Sequence, residues 1–358
     1  MKKVLICSID NENLKNFNPL LENDNDLRFT FLDLSNLHKN QINYNNSAKI
    51  IYSSISLKKP FYLLNILERL KAIYLFKKEI KNIIHEYDIV ICGRIGILEF
   101  ELIKYLKKNF QTLAFSINDS ILIYHEQANF FKKLRLILYG FKVRQNICDK
   151  IFVSGQVSKQ TLIKDGVNEN KIIISGLPRF KKYFDQSFTK RQKNSNNSLL
   201  VLTGAHKWNG YNEWQIDQDN FLKKLNSLNL NHLSINIKPH PRDNFNFKQL
   251  KNLNILNEKM NIDKVIDNHD IVICATSLST ALIQAGLLNK KTLFVKTRDL
   301  DHIMDNFNFY ISNFPTIDKN EIDANFFLKA EKNKHNILNQ YISEKSLYSP
   351  EIILNEIK

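Results

Sequence analysis

Short apolar, β-branched runs alternate along this chain with longer stretches patterned at helical period, and that alternation limits the fold more than any other feature. Residues 3–9, 29–32 and 88–92 read as strands, with a long helical region over 59–85 between the second and third. The cadence continues with a helix near 98–108, a strand at 112–117, a basic helix near 130–146 and a strand at 150–154, then a helix at 158–165 and a strand at 171–175. Strands that alternate with helices in this way pair in parallel, because each crossover helix must cover a face of the sheet. The expected class is α/β.

After Gly176-Leu177-Pro178-Arg179 the chain becomes rich in Lys, Asn and Ser up to Ser198, a composition that buries little and suits a linker. A second α/β set follows, with strands at 199–203, 233–238, 271–274 and 292–295 and helices near 221–228, 247–253 and 279–288. Two further helices, 324–338 and 350–357, close the chain and are expected to pack back across the first domain. The expected organisation is an N-terminal domain over 1–178, a linker over 179–197, a C-terminal domain over 198–322 and closing helices over 323–358. A length of 358 residues suits two such domains.

Composition removes several classes. The four cysteines are scattered, with no Cys-x-x-Cys pair, so neither a zinc ribbon nor a disulfide scaffold is indicated, and a reducing cytoplasm is the expected location. The apolar run after Met1-Lys2-Lys3 ends at Asp10, too early for a secretory signal, and no uninterrupted apolar run reaches membrane-spanning length. Neither a Gly-x-Gly-x-x-Gly turn nor a Gly-x-x-x-x-Gly-Lys-Ser/Thr loop occurs, which argues against dinucleotide oxidoreductases and P-loop NTPases. The net charge of +15 suits nucleic acid, an anionic membrane face or phosphorylated small molecules. No nucleic-acid-binding motif accompanies it, so nucleic acid is not the expected partner.

Two segments carry most of the chemical information. Asn236-Ile237-Lys238-Pro239-His240-Pro241-Arg242-Asp243 stands at the carboxyl end of an expected strand, where parallel sheets bind ligands. Two prolines fix the backbone around His240, and Lys238 and Arg242 add positive charge, a setting suited to hydrogen-bonding a phosphate. The other segment, Asp270-Ile271-Val272-Ile273-Cys274-Ala275-Thr276-Ser277-Leu278-Ser279-Thr280, runs from a buried strand through four hydroxyl residues into an apolar helix. Ser279 or Ser277 caps that helix and leaves N–H groups able to meet an anion. A turn histidine and an ordinary N-cap remain the structural alternatives.

Together, Lys-Pro-His-Pro and the following strand, Ser-x-Ser-Thr and helix ending Gly-Leu-Leu-Asn-Lys-Lys resemble the nucleotide-binding half of bacterial GT-B glycosyltransferases of surface polysaccharide synthesis. The likeness is nearest to the CMP-sugar-using sialyltransferases and polysialyltransferases; the cytidine-diphosphoglycerol polymer transferases share a similar layout. The resemblance covers about residues 150–300 and implies two Rossmann-like α/β/α domains facing a cleft. It implies that His240, with Ser279 and Thr280, holds the donor's nucleotide and phosphate, and that the general base follows a strand in the first domain. Asn118-Asp119-Ser120 occupies that position, lacking the family's first acid and its Gly. Asp119 is the expected base, oriented by Asn118, with Glu126 beside His125 as the alternative.

Smaller features complete the expectation. Gly204 and Lys207, in Thr203-Gly204-Ala205-His206-Lys207-Trp208, are placed to meet the donor, and Arg94, in Gly93-Arg94-Ile95-Gly96, to meet an anionic acceptor. Asp217 and Asp219 have metal-pair spacing but read as helix-start acids; neither metal nor cofactor is expected. The stretch from Phe130 to Arg144 holds five basic residues and no acid, fitting either an anionic membrane surface or the solvated face of a core helix. The expected activity is metal-independent transfer of a CMP-activated keto-sugar, such as a sialic acid-like nonulosonate or Kdo, to a glycan or glycolipid acceptor at the inner membrane face. Alternatives are a CDP-glycerol-type polyol phosphate transferase, a UDP-sugar GT-B transferase, a noncatalytic nucleotide-sugar-binding assembly partner and a basic RNA-binding protein.

Overall fold

The computed structural model describes residues 1–8, 11–22, 26–38, 44, 48–57, 61, 64–93, 95–118, 144–185, 198–207, 212–228, 230, 233–275, 279–297 and 313–358. They form two units: one gathers the described residues up to Lys182 together with Gln340–Lys358, the other Tyr183–Asn339.

The first unit is a parallel sheet of β1 (Lys2–Ser8), β2 (Leu27–Asp33), β3 (Lys49–Tyr52), β4 (Ile89–Cys92), β5 (Leu113–Asn118), β6 (Lys150–Val153) and β7 (Ile172–Ile174). Their order is β3-β2-β1-β4-β5-β6-β7. Helices α1 (Asn11–Glu22), α2 (Ser35–His38), α3 (Ile66–Ile83), α4 (Ile97–Phe110), α5 (Gln156–Lys164) and α6 (Lys181–Phe184) occur between and after the strands. All four residues of β4 are buried, as expected for a strand with both sheet faces covered. The core gathers Leu5, Val90, Leu102, Ile151 and Phe76.

Local chemistry sets the helix ends. Asn65 caps α3 in a reciprocal box: its Oδ1 accepts from the Glu68 N–H at 2.9 Å, and Glu68 Oε2 accepts from the Asn65 N–H at 3.0 Å. The helix therefore starts at Ile66, several residues later than the apolar pattern from 59 predicts. Gly166, at φ 83°, ends α5: its N–H reaches the Ile163 carbonyl while the Val167 N–H reaches that of Leu162.

In the second unit the strands are β8 (Ser198–Leu202), β9 (Ser234–Lys238), β10 (Asn254–Ile255), β11 (Ile271–Ala275), β12 (Lys291–Lys296) and β13 (Thr316–Asp318), in the order β10-β9-β8-β11-β12-β13. A short β14 (Glu331–Lys332) pairs antiparallel with β12. The helices are α7 (Asn212–Ser227), α8 (Ile262–Asp267) and α9 (Thr280–Leu287); α10 (His335–Tyr341) begins in this unit and its last two residues belong to the first. Both sheets thus reverse direction after their third strand, the doubly wound pattern with a switch point between the first and fourth strands.

The last helix, α11 (Ser349–Ile357), buries Ile353, Leu354 and Ile357 in the first unit. The Leu177 N–H donates to Ser346 Oγ at 3.2 Å, and Gly176, at φ 68°, presses so closely on Ser346 that a Cβ there would lie 2.3 Å from its backbone nitrogen. The predicted helix over 324–338 is instead a 3-10 turn (Phe326–Lys329), β14 and α10. Phe326, Phe327 and Ala330 are drawn into the second unit's core, which breaks the helical run. Residues 247–253, also predicted helical, contain only a 3-10 turn (Phe247–Gln249). Among the described residues no helix is long and apolar enough to cross a membrane.

Candidate functional site

In the second unit, strand register brings three segments to one level. Leu202 at the end of β8 pairs with Lys238 of β9 on one side and with Cys274 of β11 on the other. The three strands therefore end side by side at Leu202, Lys238 and Ala275, at the carboxyl ends flanking the switch point.

The Lys238-Pro239-His240-Pro241-Arg242-Asp243 segment is a turn built around His240. The His240 N–H donates to Thr203 Oγ1 at 3.0 Å, tying the β9 end to the β8 end. The Asp243 N–H closes the turn on the His240 carbonyl at 2.9 Å. The Arg242 N–H donates to His240 Nδ1 at 3.1 Å, so Nδ1 is an acceptor and, in the neutral ring, the proton resides on Nε2. Partial burial, then the nearby Arg242 charge, holds the His240 pKa below its ordinary value and favours that neutral form. His240 and Pro241 are exposed, and Nε2 makes no hydrogen bond among the described residues.

Lys238 departs from its expected role. Its side chain is buried, and Nζ donates to the Glu258 carbonyl at 2.5 Å and the Pro239 carbonyl at 3.3 Å. Burial lowers its pKa. The ammonium braces the turn rather than standing free for a phosphate.

Helix α7 clamps this turn to the loop after β8. Buried Gln218 accepts the Gly204 N–H through Oε1 at 2.6 Å and donates through Nε2 to the Gly204 carbonyl at 3.4 Å and to Asp243 Oδ2 at 3.1 Å. Gln215 accepts the Lys207 N–H at 3.3 Å and donates to Asp243 Oδ1 at 3.0 Å and Asp219 Oδ1 at 2.9 Å. Gly204's amide is thereby spent inside the protein, which leaves an exposed Lys207 as the loop's charge-bearing residue.

His206 lies beneath. It is buried edge-on to Trp214, with ring centroids 5.9 Å apart, and burial pushes its pKa down to about 4. Its Nε2 has no hydrogen-bond partner among the described residues.

At the third strand end, Ser279 caps α9 by accepting the Ala281 N–H at 3.2 Å, and Thr280 is the first helical residue. The helix closes in a Schellman turn with Asn289 at φ 57°, the Lys290 N–H bonding to the Ala285 carbonyl at 3.0 Å. Ser277 lies outside the described residues. Asp217 and Asp219 sit well inside α7 rather than at its start, and two positions apart on a helix place them on different faces. Among the described residues no group of three or more His, Cys, Asp or Glu is arranged to hold a metal ion.

In the first unit, Ser116 Oγ donates to the Gly93 carbonyl at 2.6 Å, and Gly93 lies against the Asn13 side chain, 3.0 Å from where its Cβ would stand. Asn118 is buried at the end of β5. Asp119, His125, Glu126 and Arg94 lie outside the described residues. Buried Glu99, in the first turn of α4, is hydrogen-bonded by its own N–H and that of Gly96; desolvation nevertheless raises its pKa to about 7. From Phe130 to Arg144 only Arg144 is described, and it is buried near Glu99 rather than displayed on a basic surface.

No protein-family model matches the sequence, and no curated protein matches it. Solved structures do match. The Methanocaldococcus jannaschii UDP-GlcNAc 2-epimerase in complex with UDP-GlcNAc and UDP aligns over 99% of this chain and 100% of its own, with TM-score 0.62 and 13% identity. The S. aureus MnaA–UDP structure covers 100% of this chain and 96% of its own, with TM-score 0.63 and 12% identity. The wall teichoic acid polymerase TagF covers 99% and 89%, with TM-score 0.57 and 13% identity. The fold is GT-B-like. Identities this low establish the architecture alone, so function must be argued from the site.

Proposed function

We propose that this protein is a glycosyltransferase that takes a sugar from a nucleotide-activated donor bound at the β8, β9 and β11 ends. The observation that carries the reading is the His240 turn, in which Nδ1 accepts the Arg242 N–H. A neutral imidazole whose Nδ1 is taken up as an acceptor carries its proton on Nε2, and on a turn braced by Thr203, Lys238 and Asp243 it is suited to donate to a phosphate oxygen. Ser279 and Thr280 add the α9 start at a neighbouring strand end in the same sheet. His240, Pro241, Ser277, Ser279, Thr280 and Lys207 are the proposed donor contacts; Lys238 and Gly204 act by holding the loops in place.

The favoured donor is CMP-linked, on the resemblance of Lys238-Pro239-His240-Pro241 and Ser277-Leu278-Ser279-Thr280 to the sialyltransferase motifs. A CDP-linked polyol phosphate is the second reading, because the same motifs resemble the CDP-glycerol polymer transferases and TagF shares the fold. In either case Asp119, or Glu126 in its place, would take the acceptor's proton as the donor bond opens. Arg94, Asn118 and His125 complete the proposed acceptor side, and the acceptor is a glycan or glycolipid.

Calorimetry with CMP, CDP and UDP, followed by product analysis with the donor that binds, tests this reading. Saturable nucleotide binding and sugar transfer to an acceptor are the expected results. Because UDP-GlcNAc 2-epimerases share the fold, donor isomerised without transfer would replace the transferase reading. Binding of none of the three nucleotides would remove the donor site altogether.

A further inference from the structure

Helix α3 has two faces of opposite character. Ala72, Phe76 and Ile80 are buried and join the first unit's core. On the other side, Ile66, Leu67, Leu70 and Tyr74 are 63%, 77%, 59% and 68% exposed. At helical spacing these four occupy a single stripe roughly 100° wide, facing away from the core stripe. The same outward side continues in the next turns with Lys77, Lys78 and Lys81, flanked by Lys71.

The acids of this helix are occupied within the protein. Glu68 closes the capping box, and Glu79 accepts from Ser53 Oγ at 2.7 Å, Ser54 N–H at 2.5 Å and Ser54 Oγ at 2.6 Å. Lys77 reaches Glu101 at 3.0 Å, whereas Lys71, Lys78 and Lys81 make no ion pair among the described residues. The outward face is therefore apolar at its N-terminal end and cationic at its C-terminal end, with Tyr74 at the junction.

We infer that this face of α3 lies on an anionic lipid bilayer, its Ile66, Leu67 and Leu70 side chains entering the acyl boundary. The chemistry matches at each level: apolar side chains reach past the headgroups, a tyrosine sits at headgroup depth, and lysines extend to the lipid phosphates. Charge complementarity selects the occupant, because Lys71, Lys78 and Lys81 have no acid paired with them among the described residues, as a mixed-charge protein surface would require. The inference does not depend on the nucleotide site.

The test is sedimentation of the full chain with phosphatidylcholine vesicles and with vesicles carrying about one-third phosphatidylglycerol, at low salt and at about 0.5 M salt. The parent is expected to partition at least about 100-fold more strongly onto the anionic vesicles at low salt, with the preference fading as salt screens it. Replacing Leu67, Leu70 and Tyr74 by Gln together should lower partitioning about 100-fold at either salt. Replacing Lys71, Lys78 and Lys81 by Gln should reduce only the anionic preference, by about five-fold per lysine.

A nitroxide on Leu70→Cys gives a second measurement on an otherwise unaltered face; the four native cysteines are buried, which directs the label to the new thiol. Its exposure to dissolved oxygen should rise, and its exposure to a water-soluble nickel complex fall, when anionic vesicles are added. Absence of vesicle binding by the parent, unchanged binding by the Leu67/Leu70/Tyr74 variant, or an unmoved nitroxide would overturn the inference. So would a concentration-dependent dimer of the parent that the same variant abolishes, since a second copy would then be what covers the face.

Discussion

The Thr203 hydroxyl, at the end of one strand, accepts the backbone N–H of His240, at the end of its neighbour, at 3.0 Å. That bond fixes the backbone of a turn whose imidazole is the proposed phosphate donor. His240→Ala should weaken nucleotide binding by about 1.5–3 kcal/mol, the range for a hydrogen bond to a charged group, with the fold unchanged. Thr203→Val keeps the side-chain shape and removes the acceptor, so it should weaken binding by a smaller amount, about 1 kcal/mol, and Thr203→Ser should restore it. Titration calorimetry with CMP, CDP and UDP measures all three; equal affinities in parent and His240→Ala would remove His240 from the site.

Gln218 is the residue whose loss should be felt most widely, because one buried amide serves Gly204 and Asp243 together. Gln218→Leu leaves a buried N–H and a carboxylate oxygen each short of a partner, and should lower stability by about 2–4 kcal/mol in urea denaturation. Gln218→Glu still offers Gly204 an acceptor but faces Asp243 as a like charge. Its deficit should therefore shrink as the pH falls and the new carboxyl binds a proton. A pH-independent deficit for Gln218→Glu would mean that Asp243 is not what Gln218 holds.

The doubly wound class was legible in the sequence because buried parallel strands appear as continuous apolar runs, as at 88–92 and 271–274. The His240 turn and the Ser279 cap were legible because proline and hydroxyl residues at strand ends have few other uses. What escaped was polar burial. Gln215 and Gln218 occupy inward positions of α7 beside Trp214, Phe221, Leu222 and Leu225, so the apolar pattern in the sequence begins only at Phe221, nine residues after the helix starts. Helix α1 escaped for a related reason: Leu14, Phe17 and Leu20 are buried, but the asparagines and Pro19 between them lower helix propensity, and tertiary packing overrides it. Lys238 could not be assigned in advance, since only the fold brings the Glu258 carbonyl to its ammonium.

Glu99 makes the first unit's stability depend on pH. Burial raises its pKa from the ordinary carboxyl value of 4.5 to about 7, so between those values the folded state holds a proton that the unfolded chain has released. Stability contributed by this group is then present at acid pH and lost as the pH rises through the folded pKa, by roughly 3 kcal/mol in all. Glu99→Gln keeps an acceptor for the Gly96 N–H without a charge to bury. It should stabilise the protein at pH 8 and leave it nearly unchanged at pH 5, as read from urea midpoints at the two values. Equal shifts at both would show that Glu99 does not titrate in this window.

The base assignment is the sharpest test of the transferase reading, because it separates damage to turnover from damage to donor binding. Asn118 ends β5 on the same face as Ser116, whose hydroxyl holds the Gly93 carbonyl at the neighbouring end of β4, so the proposed base follows directly on a well-anchored strand. Displacement at an anomeric carbon needs a carboxylate on the acceptor side to receive the hydroxyl proton, while the nucleotide is held elsewhere. Asp119→Asn should therefore keep the nucleotide affinity of the parent and lower kcat by about 100-fold or more, in line with general-base contributions. Asn is nearly isosteric with Asp and cannot take the proton at neutral pH. Near-parental turnover in Asp119→Asn with loss in Glu126→Gln or His125→Ala would move the base along the chain and leave the transfer reaction in place. Parental turnover in all three, with chemistry rate-limiting, would mean that no base resides in this segment and that the acceptor is activated by another group.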